Sequence, residues 1–281
     1  MSTNNRTGRK RDYVGVLSSV FAIVIGLLVG FVILLICNPS QALPGFVTIL
    51  TGAFTHGLKG VGQVFYYATP IILTGLSVGF AFKTGLFNIG TPGQFIVGAF
   101  AAVYVGIMWT GLGRIQWAVA LLAAILGGAL WGMVPGFLKA CFNVNEVIAS
   151  IMMNYIGMYM VNWIVKSYKP LFNNLRNESR NVAATAQIPK MGMDKLFPES
   201  SVGGGILLAI AAVLIIWVIL NKTTFGYELK AVGFNRDASR YAGINEKRNI
   251  IMSMVIAGAI AGMAGGLLYL AGTGKHIEIK D

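Results

Sequence analysis

Seven long apolar stretches constrain the fold more than any other feature of this sequence. A bilayer core about 30 Å thick is crossed by about 20 helical residues, and a spanning helix pairs its own backbone polar groups because lipid cannot pair them. The stretches predict one all-α, polytopic transmembrane helical bundle over residues 1–281, with about seven spans. The predicted spans are Val14–Ile36, Val61–Phe82, Asn88–Thr110, Trp117–Phe137, Glu146–Val165, Val202–Asn221 and Ile250–Ala271.

The composition agrees with a chain whose solvent is mostly lipid. Charged residues make up 11% of the sequence and hydrophobic residues 56%, whereas soluble domains carry about 25% charged residues. A soluble globular protein and a disordered chain are therefore both excluded. The net charge of +12 comes from short segments between the apolar stretches, which cannot form one basic stripe. We expect membrane lipid and no nucleic acid as a partner.

The topology is predicted from basic residues near the span ends, which favour the cytoplasmic side. Four of them precede the first span, so we expect residues 1–13 in the cytoplasm. Alternation then makes Lys166–Ser201 a long external loop and Lys222–Asn249 a cytoplasmic segment. Each is a candidate for docking another protein, although each could also be a solvated connection. The four basic residues are Arg6, Arg9, Lys10 and Arg11.

Neither catalytic nor metal chemistry is predicted. The spans contain no Asp, Glu, Lys, Arg or His except Glu146 at the start of the fifth, which disfavours proton and ion relays. Cys37 and Cys141 lack metal-ligand spacing, and we interpret His56 and His276 as surface residues. A phosphate-binding Gly-x-x-x-x-Gly-Lys-Ser/Thr loop is missing. We expect no cofactor, no enzyme activity in this chain, and any ATP hydrolysis on a separate chain.

Neutral polar residues mark a candidate substrate path. Pro92 stands between two glycines at the opening of the third span and predicts a broken helix near Asn88–Gln94, which is tolerated where backbone lines a cavity. Neutral amides suit an uncharged hydroxylated or heterocyclic solute, but the same residues could simply hold helices together. The first set is Asn88, Thr91 and Gln94, and the second is Asn145, Glu146 and Asn154.

Glycines repeat at four-residue spacing, which aligns a groove along one helix face and allows close helix contact. We interpret these repeats as packing within one bundle, with a subunit interface as the alternative. The repeats are Gly128, Gly132 and Gly136, then Gly258, Gly262 and Gly266, with shorter pairs at Gly26/Gly30 and Gly75/Gly79.

Four separated segments together resemble a known family, the permeases of ATP-binding-cassette importers. The resemblance is to the branched-chain amino acid and ribose permease group, and the sequence motifs are similar to those of its nucleoside and simple-sugar members. The segments are LFNIG with GQ in 86–94, NEVI with MNY in 145–155, TFG through AVGFN in 224–235, and AGI in 242–244.

The resemblance also implies a docking segment for an ATPase. Importer permeases carry a cytoplasmic Glu-Ala-Ala-x-x-x-Gly type helix, and the matching residues here are Asp237, Ala238, Ser239, Ala242 and Gly243. Aspartate replaces the glutamate and serine the second alanine. Related chains usually continue beyond the helix at 258–266 with further spans, so the resemblance implies a chain truncated at its C-terminus.

The resemblance thus implies the transmembrane subunit of an ATP-driven importer of a neutral solute, a nucleoside or a simple sugar. The implied partners are a cytoplasmic ATP-binding subunit, a second permease subunit and an external substrate-binding protein. The implied location is a bacterial inner or plasma membrane, crossed several times. The alternative from another class is a secondary transporter or channel for a small neutral solute.

Overall fold

A computed structural model describes residues 13–279, and the predicted all-α polytopic bundle is confirmed in this part of the chain. Seven helices there are long and apolar enough to cross a membrane: α1, α3, α4, α5, α6, α8 and α11. The basic cluster at residues 6–11 lies outside the described residues, so the N-terminal orientation stays a prediction. The helices are α1 Tyr13–Cys37, α2 Pro39–Thr55, α3 Gly57–Phe82, α4 Thr91–Met108, α5 Gln116–Phe142, α6 Glu146–Ser167, α7 Met193–Leu196, α8 Gly205–Lys222, α9 Thr224–Phe234, α10 Arg236–Tyr241 and α11 Glu246–Tyr269.

The sequence did not predict α2. The described residues form two compact units, divided between residues 60 and 61, and α2 packs against α1 in the first of them. The rings of Phe31 and Phe46 lie 4.8 Å apart between their centroids. Pro39 stands in the first turn of α2, where a missing N–H costs no hydrogen bond. Asn38-Pro39 is therefore a helix-start signal in a segment that lies between the first two predicted spans.

The interruption predicted near Asn88–Gln94 is the start of α4. Residues 83–90 contain no helix, and α4 begins at Thr91 with Pro92 in its first turn. A proline at this position lacks an N–H that would have no partner within the helix. Pro92 therefore begins a helix rather than breaking one.

Helices α4, α5 and α11 form the centre of the second unit, and they meet through glycines. An ideal Cβ placed on Gly128 would lie 2.7 Å from Gly262 Cα, and one on Gly136 would lie 2.8 Å from Met254 Cβ. Packing of the two long repeats within one bundle is confirmed. The interpretation is wrong for the shorter pairs, Gly26/Gly30 and Gly75/Gly79, because an added Cβ at each would meet nothing within 4 Å.

The second unit has two ends, each built from alternate connections. At the α9–α10 end, one pocket is lined by residues of the 83–90 loop, by Lys139 near the end of α5, by Glu146 at the start of α6 and by the α9–α10 segment. At the long-loop end, residues 168–204 contact the ends of the central helices. Ala183 N donates to Gly106 O at 3.0 Å, and Ile188 N donates to Leu270 O at 2.9 Å. This alternation agrees with the predicted order of the last six spans.

The long loop has local structure of its own and packs on the bundle as a cap, although most of its residues are exposed. Its two short strands, Phe172–Asn173 and Glu178–Ser179, pair antiparallel. Ser179 N donates to Ile277 O at 3.0 Å, which adds the segment after α11 to this pair. His276 lies 3.9 Å from a Glu178 carboxylate oxygen, and its side chain is only 13% exposed. His276 is therefore a partly buried residue at the surface of the cap, whereas His56 is exposed.

Gln116 joins three parts of the long-loop end. Its side chain is fully buried, and its Nε2 donates to Val105 O and Gly106 O, both at 3.1 Å. Its Oε1 accepts a hydrogen bond from Thr185 Oγ1 of the cap. The amide thereby gives a second donor to two carbonyls at the C-terminus of α4, which also accept from Trp109 N and Ala183 N.

We expect Gln116→Leu to lower the free energy of unfolding by about 1–3 kcal/mol, because the three hydrogen bonds of the buried amide are lost and the Thr185 hydroxyl loses its acceptor. Thermal unfolding of the detergent-purified protein measures this effect. The matched control is Gln41→Leu, which changes an exposed side chain. Equal stability of the two variants would contradict a junction role for Gln116.

Candidate functional site

The two amides at the start of α4 bind each other. Asn88 Nδ2 donates to Gln94 Oε1 at 3.0 Å, and Gln94 Nε2 donates to Asn88 Oδ1 at 3.1 Å. Asn88 Oδ1 also accepts from Gly90 N at 3.1 Å, and Thr91 Oγ1 donates to Asn88 O at 3.2 Å. Each amide side chain is 1% exposed. The folded loop thus satisfies its own buried amides, as buried polar groups require.

Asn154 of α6 holds the same turn from the other side. Its Oδ1 accepts from Gly93 N at 2.8 Å, and its Nδ2 donates to Ile89 O at 2.9 Å. The side chain therefore supplies a partner to one of the unpaired N–H groups at the start of α4. Asn88, Thr91, Gln94 and Asn154 form one group, which we call the amide cluster.

Ser150 is the polar residue of this region that the sequence analysis missed. It lies one helical turn before Asn154, and its Cβ would be 3.3 Å from a Cβ placed on Gly90. Its hydroxyl is buried and has no hydrogen-bond partner within the described residues. The available signal was the four-residue spacing, which puts Ser150 and Asn154 on one face of α6.

Asn145 and Glu146 do not join the amide cluster. Asn145 caps α6, its Oδ1 accepting from Val147 N at 2.9 Å. Glu146 forms an ion pair with Lys139 at 2.8 Å. Both residues lie at the α9–α10 end, and eight helical residues between Glu146 and Asn154 correspond to about 12 Å. The polar residues predicted for a substrate path thus divide into two separate groups.

The hydrogen bonds of the amide cluster favour the structural alternative for three of its members. The side-chain nitrogen and oxygen of Asn88, Gln94 and Asn154 all form hydrogen bonds with protein groups. Ser150 keeps a free hydroxyl beside them. A role in the substrate path stays a prediction for the cluster. Ser150 lies beside the cluster, and its hydroxyl can form a hydrogen bond without breaking one that the fold uses.

The segment matching the ATPase-docking pattern forms the predicted short helix, α10. Asn235 caps it by accepting from Ala238 N at 3.0 Å, and asparagine is among the residues preferred at this position. Asp237 lies in the first turn, where a carboxylate complements the helix dipole. Gly243 has a φ of +80°, the left-handed conformation that suits a helix end.

One face of α10 is open to solvent and the other is packed against the bundle. Asp237, Ala238, Ala242 and Gly243 are exposed. Ser239 is buried, and its Oγ donates to Arg236 O at 2.7 Å. Ser239 therefore supports the helix from beneath and cannot contact a partner, whereas the four other predicted residues can.

Two aromatic side chains stand out from this end of the molecule. Phe234 is 95% exposed and Tyr241 94% exposed, and they flank the open face of α10 along the chain. Large apolar side chains that are grouped and exposed commonly mark an interaction surface. We call Phe234, Ala238, Tyr241 and Ala242 the docking surface.

The comparisons with known proteins agree with these features. The family model described as branched-chain amino acid transport system / permease component matches residues 60–280. The guanosine ABC transporter permease protein NupP of Bacillus subtilis (strain 168) is 41% identical over 93% of this chain and 73% of its own length.

Two further relatives extend the comparison. The nucleoside ABC transporter permease protein NupB of Lactococcus lactis subsp. cremoris (strain MG1363) is 35% identical over 95% of this chain and 72% of its own length. The glucose ABC transporter permease protein TsgB13 of Haloferax volcanii is 31% identical over 81% of this chain and 60% of its own length. No solved structure gives a significant match.

Proposed function

Because the chain belongs to the branched-chain amino acid transport system permease family, we propose that it is the membrane subunit of an ATP-driven importer for a nucleoside or simple sugar. Membership implies a multi-pass protein of the cell membrane that performs no chemistry itself. It also implies an ATP-binding subunit and a substrate-binding protein as partners. The names of the two relatives above 33% identity support a nucleoside as the solute.

The observation that carries the proposal is the docking surface on α10. A helix with small side chains on its open face, Ala238 and Ala242, can enter a cleft of the ATP-binding subunit. Phe234 and Tyr241 beside it lose exposed apolar area when that cleft closes around them. The α9–α10 end is therefore assigned to the cytoplasm, where ATP is available.

The remaining partners follow from this assignment. The cap formed by residues 168–204 then lies outside, where it meets the substrate-binding protein. A second permease subunit completes the translocation path. ATP closes the ATPase dimer, which moves α10, and the bundle changes its access from outside to inside. The free energy for this change comes from differential contacts with the partners, because a two-state equilibrium shifts only by differential binding.

Uptake assays test the proposal directly. Cells that lack this gene are supplied with labelled nucleosides and labelled glucose, with and without the chain and its neighbouring transport subunits. We expect uptake of one solute class to require the chain together with ATP. Uptake that persists when the ATP-binding subunit is deleted would favour the secondary transporter and would overturn the proposal.

Side-specific labelling tests the orientation. In a chain with serine at Cys37 and Cys141, a cysteine at Asn174 in the cap should react with an impermeant thiol reagent added to intact cells. A cysteine at Lys247, exposed at the start of α11, should react only after the cells are opened. The reverse pattern would put the docking surface outside.

Binding of the solute next to the amide cluster is tested most cleanly at Ser150. Ser150→Ala removes a hydroxyl that has no hydrogen-bond partner within the described residues, so its thermal stability should match that of the wild type. If this hydroxyl binds the solute, the KM for uptake should rise about fivefold, since a hydrogen bond contributes about 1 kcal/mol. An unchanged KM would exclude a contact between the solute and the Ser150 hydroxyl.

A further inference from the structure

The loop between α3 and α4 touches the end of α9 with no side chain between the two backbones. An ideal Cβ on Gly233 would lie 3.0 Å from Gly85 N, and one on Gly85 would lie 3.4 Å from Gly233 Cα. Gly85 has a φ of +73°, which favours glycine. A Cβ on Gly233 would overlap Lys83 O. Both glycines are therefore required at this contact. Close-packed elements move together because nothing compressible separates them.

The same loop is held against α11 next to this contact. Thr84 Oγ1 donates to Ser253 Oγ at 2.7 Å, and both groups are buried. Leu86 and Val232 belong to one buried apolar cluster together with Met254 of α11. The first half of the loop and the last turn of α9 are thus parts of one packed unit.

The other half of the loop carries the amide cluster. Asn88 follows Gly85 by three residues, which span at most about 10 Å. Asn154 then ties Ile89 and Gly93 to α6. The chain of contacts therefore runs from α10 through the end of α9 and the loop to the start of α4 and to α6.

From this arrangement we propose that residues 83–90 are the relay that carries movement of the α9–α10 segment to the amide cluster, with Gly85 and Gly233 as its positioning residues. The proposal rests on the proposed function, since an ATP-binding subunit supplies the movement. When α10 shifts, Gly233 displaces Gly85, and the displaced loop changes how the start of α4 meets Ser150 and Asn154. Gly85 and Gly233 touch no solute.

A reporter at Ser150 separates a relay from static packing. In a chain with serine at Cys37 and Cys141, Ser150→Cys places a thiol of similar size beside Gly90. The chain is purified in detergent together with its second permease subunit and its ATP-binding subunit, and the rate of its reaction with a small thiol reagent is measured with and without ATP. No solute is added, so binding of solute cannot affect the rate.

We expect ATP to change the labelling rate in the reporter chain by several-fold, within the roughly 5- to 150-fold range of coupled sites. Gly233→Ala should abolish that change while the ATP-binding subunit still copurifies, because the added methyl overlaps Lys83 O and moves the loop. Gly111→Ala is the matched control, since its Cβ meets nothing within 4 Å, and it should keep the full ATP effect.

Each other outcome is decisive. An ATP effect in Gly233→Ala equal to that of the control overturns the relay and leaves the importer intact. The absence of any ATP effect in a reporter chain that binds the ATP-binding subunit also overturns the relay. Failure of the unsubstituted chain to bind that subunit overturns the proposed function. If Gly233→Ala does not fold, Gly85→Ala replaces it, because its Cβ meets Gly233 at 3.3–3.4 Å.

Discussion

Gly262→Leu is expected to prevent the chain from accumulating in folded form. A Cβ at this position would lie 2.9 Å from Gly128 Cα and would also overlap Ala124 O. Both groups belong to the backbone of α5, which cannot yield as a flexible side chain can. Overpacking in a core costs about 1–3 kcal/mol, and a leucine at this helix contact must separate α5 from α11. The yield of monodisperse protein after detergent extraction measures the loss.

A position without neighbours provides the control. Gly79 lies on α3, and its Cβ would meet nothing within 4 Å, so Gly79→Leu should keep most of the yield. Gly262→Ala should give an intermediate yield because it adds one methyl group to the same contact. Normal yield of Gly262→Leu would show that the α5–α11 contact can open without loss of the fold.

The spans could be predicted from the sequence because length and apolar composition are properties of the chain alone. Helix α2 was not predicted because it depends on packing against α1 as well as on its own sequence. Pro44, inside α2, reads in sequence as a breaker, yet the helix continues past it and packs on α1. Glycine spacing predicted close packing at all four repeats. It could not tell the two that form the α5–α11 contact from the pair Gly75/Gly79, since four-residue spacing defines a helix face and leaves its neighbour undefined.

The candidate site was predictable by residue type and less so by arrangement. Asn88, Gln94 and Asn154 stood out as neutral polar groups in apolar surroundings. Their pairing depends on the loop conformation at 83–90 and on the placement of α6 beside it, which no local pattern encodes. Ser239 shows the same limit. The family pattern includes it with Ala238, but only tertiary packing decides which of two adjacent side chains faces the bundle.

Ala238→Trp is expected to abolish uptake by releasing the ATP-binding subunit from the membrane. Ala238 is exposed on the open face of α10, and Ala242, one turn later, shares that face. If this face enters a cleft, an indole at Ala238 cannot be accommodated without lifting the whole helix. Separation of the surfaces also exposes Phe234 and Tyr241 again. Copurification of the ATP-binding subunit with the tagged chain measures the release directly.

Two matched variants show whether the effect belongs to this face. Ala238→Ser adds a single oxygen and should keep both copurification and uptake. Tyr241→Ala removes an exposed aromatic side chain without adding bulk, so it should weaken association without preventing insertion of the chain in the membrane. Membrane insertion and the thermal stability of all three variants should match those of the wild type, because none of the substituted side chains is buried. Retention of the ATP-binding subunit by Ala238→Trp at wild-type level would show that α10 stays in solvent in the assembled transporter, and the docking surface would then lie elsewhere on the molecule.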